Sequence, residues 1–217
     1  MGAAGVAGYG IPNDGIFGHA IVVAQSAQVV SSETNRSIPA EAYTAGLLHD
    51  IGKVVLGEYV ENRIGAIIEL AQSEGCSFAE AERRLLGLNH AEVGAVLAKK
   101  WGLPDFLVGA IRSHHASPEP GDGDGNGDGD GDGDGDGDET STLAAAYIVA
   151  NQVARGTGSG VGANETPDPD IPGVVLEILG VKQDGFGDFE QILLENIKET
   201  MSLFGGGDAD DTEEAAD

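Results

Sequence analysis

Residues 45–56 read AGLLHDIGKVVL, and the spacing of their apolar side chains decides the fold class. By composition KVVL is strand-like, but it lies inside a longer run with the 3.6-residue period of a helix. Upstream, Pro39 suits a first helical turn, and Tyr43, Leu47 and Leu48 lead toward His49. After Gly52, the apolar character continues through Val54, Val55 and Leu56. The same period holds outward in both directions. Asn13 and Asp14 can cap a helix carrying Ile16, Phe17, Ala20, Val23 and Ala27, which absorbs the Val-rich IVVA. Ile64, Ile67, Ile68 and Ala71 mark another helix, stopped at Gly75. Ser77 with Glu80 forms a capping box, and Asn89 with Glu92 is a looser version of it. The helix begun at Asn89 ends at Trp101 and Gly102, and Pro104 starts the next, which reaches His114 and His115. Further on, Ser141 or Thr142 caps LAAAYIVANQVA, Gly180 stops GVVLEILG, and residues 189–204 close the ordered part. No hairpin signal and no helical repeat occurs, so the expected fold is all-α.

The composition bounds what such a fold can do. The chain of 217 residues holds one domain with a real core. We expect residues 1–204 to form it, with a low-complexity insertion at 116–140 and a disordered acidic tail at 205–217. Asp at every second position of GDGDGNGDGDGDGDGDGD suggests calcium, but counting from Asp122 the twelfth position is Gly133, where a calcium loop needs a bidentate Glu. The run therefore reads as a solvated insertion in a surface loop. The net charge is −26, with 11 Lys and Arg against 37 acids. That balance disfavours nucleic acid and anionic membrane surfaces, both of which need a basic face. It is the composition of proteins from salt-loving archaea, in which molar salt shrinks the Debye length to ~3 Å and screens the self-repulsion. Cys76 is alone, the N-terminus has no secretory pattern, and 18 apolar residues never run together, so the expected location is cytoplasmic.

The chemistry lies in the five histidines, at 19, 49, 90, 114 and 115, each on or at the end of an expected helix. On a helix, His49 and Asp50 point ~100° apart, yet both side chains are long enough to reach one ion between them. Neutral imidazole with carboxylate suits Fe, Mn, Co, Ni or Zn. Lys53, one turn after His49, is placed to neutralise a phosphate. Taken singly, each residue has a plainer alternative: a core histidine with one hydrogen bond, a helix-start residue, a surface lysine.

Taken in order they match a known pattern. GHAIVVAQSA, AGLLHDIGKVVL, NHAEVGAVLAKKWGLPDFLVGAIRSHH and YIVANQVA resemble the HD superfamily, and their details are similar to its HDOD branch. The resemblance covers roughly residues 19–154 and implies an HD-type helical bundle. It implies metal ligation by His19, His49 and Asp50, with His90, His114 and His115 at positions that hold a second metal in binuclear relatives. Asp50 and Lys53 are the implied catalytic residues if the site is active. Three departures stand out. The superfamily's closing Asp ligand is Asn151 here, an amide that brings no charge. The GYP signature of cyclic-dinucleotide phosphodiesterases is absent after His114 and His115. Only 18 residues precede His19, where HDOD proteins usually have a helical lobe; either the chain starts late or that lobe is missing, which would leave an apolar surface exposed or partnered. The resemblance implies a regulatory module of signal transduction, with a signalling protein or a phosphorylated small molecule as partner. The alternative is a metal-dependent phosphohydrolase acting on a nucleotide or phosphoester.

Overall fold

The valine runs that look strand-like are helical. The computed structural model describes residues 6, 8–11, 13–34, 36, 38–116, 136–157 and 171–205. Its helices are α1 (Asn13–Thr34), α2 (Ala42–Leu48), α3 (Ile51–Val60), α4 (Ile64–Glu74), α5 (Phe78–Leu86), α6 (His90–Lys100), α7 (Asp105–Ser113), α8 (Asp136–Gly156), α9 (Gly173–Leu179) and α10 (Phe186–Gly205). Among the described residues the only β-pairing is an isolated antiparallel bridge between Val6 and Ile11. The domain is all-α.

A central helix organises the bundle. Leu143, Ala145, Tyr147, Val149 and Ala150 of α8 are all fully buried, so between residues 143 and 150 this helix is apolar around its whole circumference. Its alanines let α1 and α7 approach closely, and α9 and α10 complete the shell. A second apolar cluster gathers the N-terminal Tyr9 and Ile11 with Leu56, Val60, Ile67 and Phe78 from α3, α4 and α5. Helices α1 and α6 contribute to both clusters.

Helix termination follows local chemistry. Gly75, Gly87 and Gly180 take the left-handed conformation after α4, α5 and α9. Two of the expected starts need correction. Helix α8 begins at Asp136, so neither Ser141 nor Thr142 caps it. The helix extends back through residues 136–140, and Glu139 puts negative charge near its start, at the positive end of the helix dipole. Residues 117–135 of the expected insertion and 206–217 of the expected tail lie outside the described residues, while 136–140 open helix α8. The two capping motifs also exchange rank. Asn89 and Glu92 form the complete reciprocal box, each backbone N–H bonded to the other's side chain at 2.9 Å. Ser77 accepts from the Glu80 N–H at 3.2 Å, while the Glu80 carboxylate turns to Arg84 at 2.8 Å.

On α3 the buried face is Gly52, Lys53, Leu56, Gly57 and Val60. Val54, Val55 and Tyr59 are exposed, and Tyr59 shares a groove with Leu86, Leu88 and Val93. This is an apolar surface on the side of the molecule formed by α3 and α5–α6.

Candidate metal centre

His49 and Asp50 do not share a helix. α2 ends at Leu48, and Asp50 leaves helical geometry (φ −97°, ψ 7°) before α3 starts at Ile51. On either side of the break, the two helices make close glycine contacts with different partners. A Cβ on Gly46 would sit 2.7 Å from the Ala24 Cα of α1, so α2 lies directly on α1. A Cβ on Gly52 would fall 1.9 Å from the His90 carbonyl oxygen, so α3 lies directly on the start of α6. These contacts bring His49 to His19 and Asp50 to His90. His114 caps the C-terminus of α7, and His115 follows it.

Four helix ends thus meet at one carboxylate. Asp50 Oδ1 lies 3.3 Å from His90 Nε2 and 3.6 Å from His114 Nε2. Its Oδ2 lies 3.5 Å from His49 Nε2 and 3.8 Å from His19 Nε2. His115 Nε2 is 2.9 Å from His90 Nε2, where one proton or one ion can link the rings. The donor atoms therefore form two groups, Asp50–His90–His114–His115 and His19–His49–Asp50, sharing Asp50. All are buried except the half-buried His115.

The ring protons are assigned by their acceptors. His49 Nδ1 donates to the Gly46 carbonyl at 2.7 Å, and His114 Nδ1 to the Ile111 carbonyl at 2.6 Å. His90 Nδ1 donates to Glu82 Oε2 at 2.5 Å. In neutral rings this leaves the Nε2 lone pairs bare, facing Asp50. Burial pushes His49 well below the usual imidazole range, against the pull of Asp50, and burial likewise lowers His114. Burial alone would raise Asp50, but the Lys53 ammonium and then the neighbouring imidazoles hold it well below the usual carboxylate range. His49 and His114 therefore present neutral nitrogens to the ionised carboxylate of Asp50. His49 Nε2, His114 Nε2, Asp50 Oδ1 and Asn151 Oδ1 are all buried without a hydrogen-bond partner. His114 Nε2 and Asp50 Oδ1 face each other at 3.6 Å, and such nitrogen and oxygen donors suit a divalent transition metal.

Lys53 and Asn151 occupy less expected settings. Lys53 is buried, not a surface lysine, and its Nζ bonds Asp50 Oδ2 at 3.0 Å. Asn151 is buried on α8, which packs against α1 and α7.

Sequence reasoning missed Glu82 and Tyr9. Glu82 is fully buried on α5, accepts from both the backbone N–H (3.0 Å) and Nδ1 of His90, and receives the Tyr9 hydroxyl at 2.5 Å. Burial would raise its pKa, yet His90 and these hydrogen bonds hold it below the ordinary value. Such a carboxylate behind a ligating imidazole fixes the ring and raises its basicity. The available signal was an acid one helical turn after Phe78, on the apolar face of α5.

An all-helical domain with histidines gathered around an aspartate at a helix break defines an HD-type protein. The family model of the HDOD domain matches residues 5–117, more than half of the chain, and the chain belongs to that family. It is similar in fold to an HDOD domain protein from Geobacter sulfurreducens, with TM-score 0.63 and 24% identity over 89% of this chain and 64% of that one. It is also similar in fold to the MmoQ response regulator of Methylococcus capsulatus, with TM-score 0.52 and 18% identity over 88% of this chain and 64% of that one. In sequence it is 35% identical over 74 residues to ribonuclease Y of Aquifex aeolicus, covering 34% of this chain and 8% of that protein. The chain spans 16% or less of the length of the curated relatives it matches. None of the described helices is long and apolar enough to cross a membrane.

Proposed function

We propose that the chain is a regulatory module of signal transduction that binds a divalent transition metal at its buried His/Asp cluster. The observation that carries the metal is the facing pair of buried donor atoms without hydrogen-bond partners, His114 Nε2 and Asp50 Oδ1, 3.6 Å apart beside His90. The ligand set is drawn from His19, His49, Asp50, His90, His114 and His115, with Asn151 at the position where related enzymes place a carboxylate. The regulatory role is supported by the similarity to a response regulator and by the closure of the site. His49, His90 and Asp50 are almost wholly shut off from solvent, and a phosphoester is far larger than an ion. A signalling protein is the partner that fits this role.

The second reading, a phosphohydrolase acting on a nucleotide or other phosphoester, is favoured by the two donor groups sharing Asp50. A bound ion there would supply a Lewis acid and a hydroxide source. In that reading Asp50 would be a ligand common to both groups, and Lys53 would leave Asp50 to meet the phosphate.

One experiment separates these readings. Protein kept in molar KCl is stripped, reconstituted with Fe, Mn, Co, Ni or Zn, and analysed for bound metal and for turnover of a chromogenic phosphoester. Wild type should carry metal without turnover, and Asp50→Ala should carry none. Asn151→Asp, which adds one charge with little change of shape, should gain turnover if charge at that position is what silences the site. Robust turnover by wild type would establish the enzyme instead. A wild type that takes up no metal would refute the metal site.

A further inference from the structure

We propose that this chain holds a single metal ion, in the half of the cluster formed by His90, His114, His115 and Asp50 Oδ1, and that the Lys53 ammonium stands in for a second ion in the His19–His49 half. The inference rests on the metal reading above and assigns which of its donors act.

The two halves share Asp50 but not equally. Oδ1 has no hydrogen-bond partner and faces His90 and His114 at 3.3 and 3.6 Å. Oδ2 already holds the Lys53 ammonium at 3.0 Å, with His49 and His19 farther off at 3.5 and 3.8 Å. Lys53 is buried and one turn along α3 from Asp50, so its charge cannot retreat to solvent without opening the helix packing. A divalent ion on Oδ2 would meet that fixed positive charge across a single oxygen, in an interior that screens it poorly.

The donor inventories point the same way. The His90 half offers three imidazoles and a carboxylate oxygen, enough to fill a four-coordinate site. The His19 half offers two imidazoles and the compromised Oδ2. Asn151, at the position where related enzymes carry a carboxylate, adds no charge. Behind the His90 half stands Glu82, whose buried carboxylate is bonded to His90 Nδ1 at 2.5 Å and makes that imidazole a stronger donor. Negative charge thus backs one half and positive charge blocks the other.

The test counts ions. Full-length protein in molar KCl is stripped with chelator, reconstituted with Co(II) or Zn(II), freed of excess metal and assayed by elemental analysis. The Co(II) absorption bands follow the titration, and circular dichroism confirms the fold of each variant. Wild type should reach one equivalent. His115→Ala should lose at least 30-fold in affinity, whereas His19→Ala should keep its equivalent within about threefold. Lys53→Met should admit a second equivalent. Two equivalents in wild type would overturn the assignment, as would loss of the ion in His19→Ala with retention in His115→Ala. A folded Lys53→Met protein that stops at one equivalent overturns the role given to Lys53. If that variant does not fold, the two histidine variants still decide where the ion sits. A wild type that binds nothing refutes the metal reading itself, a different failure from binding in the wrong half.

Discussion

Replacing Glu82 by Gln tests whether the buried carboxylate holds His90 in place. The change keeps the volume and removes one charge. Glu82 Oε2 accepts from both His90 N and His90 Nδ1, and Oε1 accepts from the Tyr9 hydroxyl. A Gln amide must keep its oxygen toward His90, since its NH2 there would face two donors. The NH2 then faces Tyr9, whose hydroxyl has to turn and accept. Both His90 bonds survive but lose their charge assistance, worth roughly 1 kcal/mol each, so the loss should be about 2 kcal/mol. Glu82→Ala, which strands the donors in a buried space, should cost about 4 kcal/mol. Tyr9→Phe should cost about 1 kcal/mol. The measurement is urea unfolding in molar KCl by circular dichroism, repeated at a second high KCl concentration, because a buried network is little affected by screening. Metal affinity of Glu82→Gln should also fall by about 10- to 100-fold. A stability loss under about 0.5 kcal/mol, with unchanged metal affinity, would refute the reasoning.

The glycine contact between α3 and α6 gives a sharper steric test. Gly52→Ala places a Cβ against backbone and should cost about 3 kcal/mol and disorder the cluster. The control Gly65→Ala on α4 meets nothing within 4 Å and should stabilise by about 0.5–1 kcal/mol; similar thermal shifts for the two would deny the close approach. In acid, metal-free protein should weaken early. His49 and His114 have lowered folded pKa values, so their contribution is complete above the unfolded value of about 6.5 and is lost as pH falls from there. The expected slope approaches ~2.7 kcal/mol per pH unit for the pair, and a flat unfolding free energy between about pH 7 and 5.5 would show that these rings are not buried neutral. Asp50 and Glu82, lowered in the fold, contribute fully above the unfolded carboxyl range and fail only at lower pH. With net charge −26, transfer from molar to millimolar KCl should lower the melting temperature; an unchanged melt would remove the halophilic reading.

The sequence carried the site's first layer and lost its second. The five histidines and Asp50 stand in an order that resembles the HD pattern, and the fold brings them together around one carboxylate. Of the two readings of Lys53, the surface lysine falls: the residue is buried, and the adjacent Val54 and Val55 are the exposed ones. The face that goes inside is instead 53, 56, 57 and 60, an i, i+3, i+4, i+7 set whose first member is the lysine. Glu82 was lost among 37 acids, since only its place one turn from Phe78 separates it from solvated neighbours. The break between His49 and Asp50 was not readable either. Glycine contacts with distant helices flank it, and the local pattern runs on through it as though helical.

The meeting of four helix ends at Asp50 also fixes how the centre responds to change. α2 and α7 arrive by their C-termini, and α3 and α6 leave by their N-termini. Each end carries roughly half an elementary charge, two negative and two positive. To first order these cancel, so the backbone supplies little net potential at the cluster. Control of its charge passes to a few ionic side chains, Asp50, Lys53 and Glu82. A substitution that moves one unit of charge there changes how much positive charge the cavity accepts, while the helices around it stay where they are.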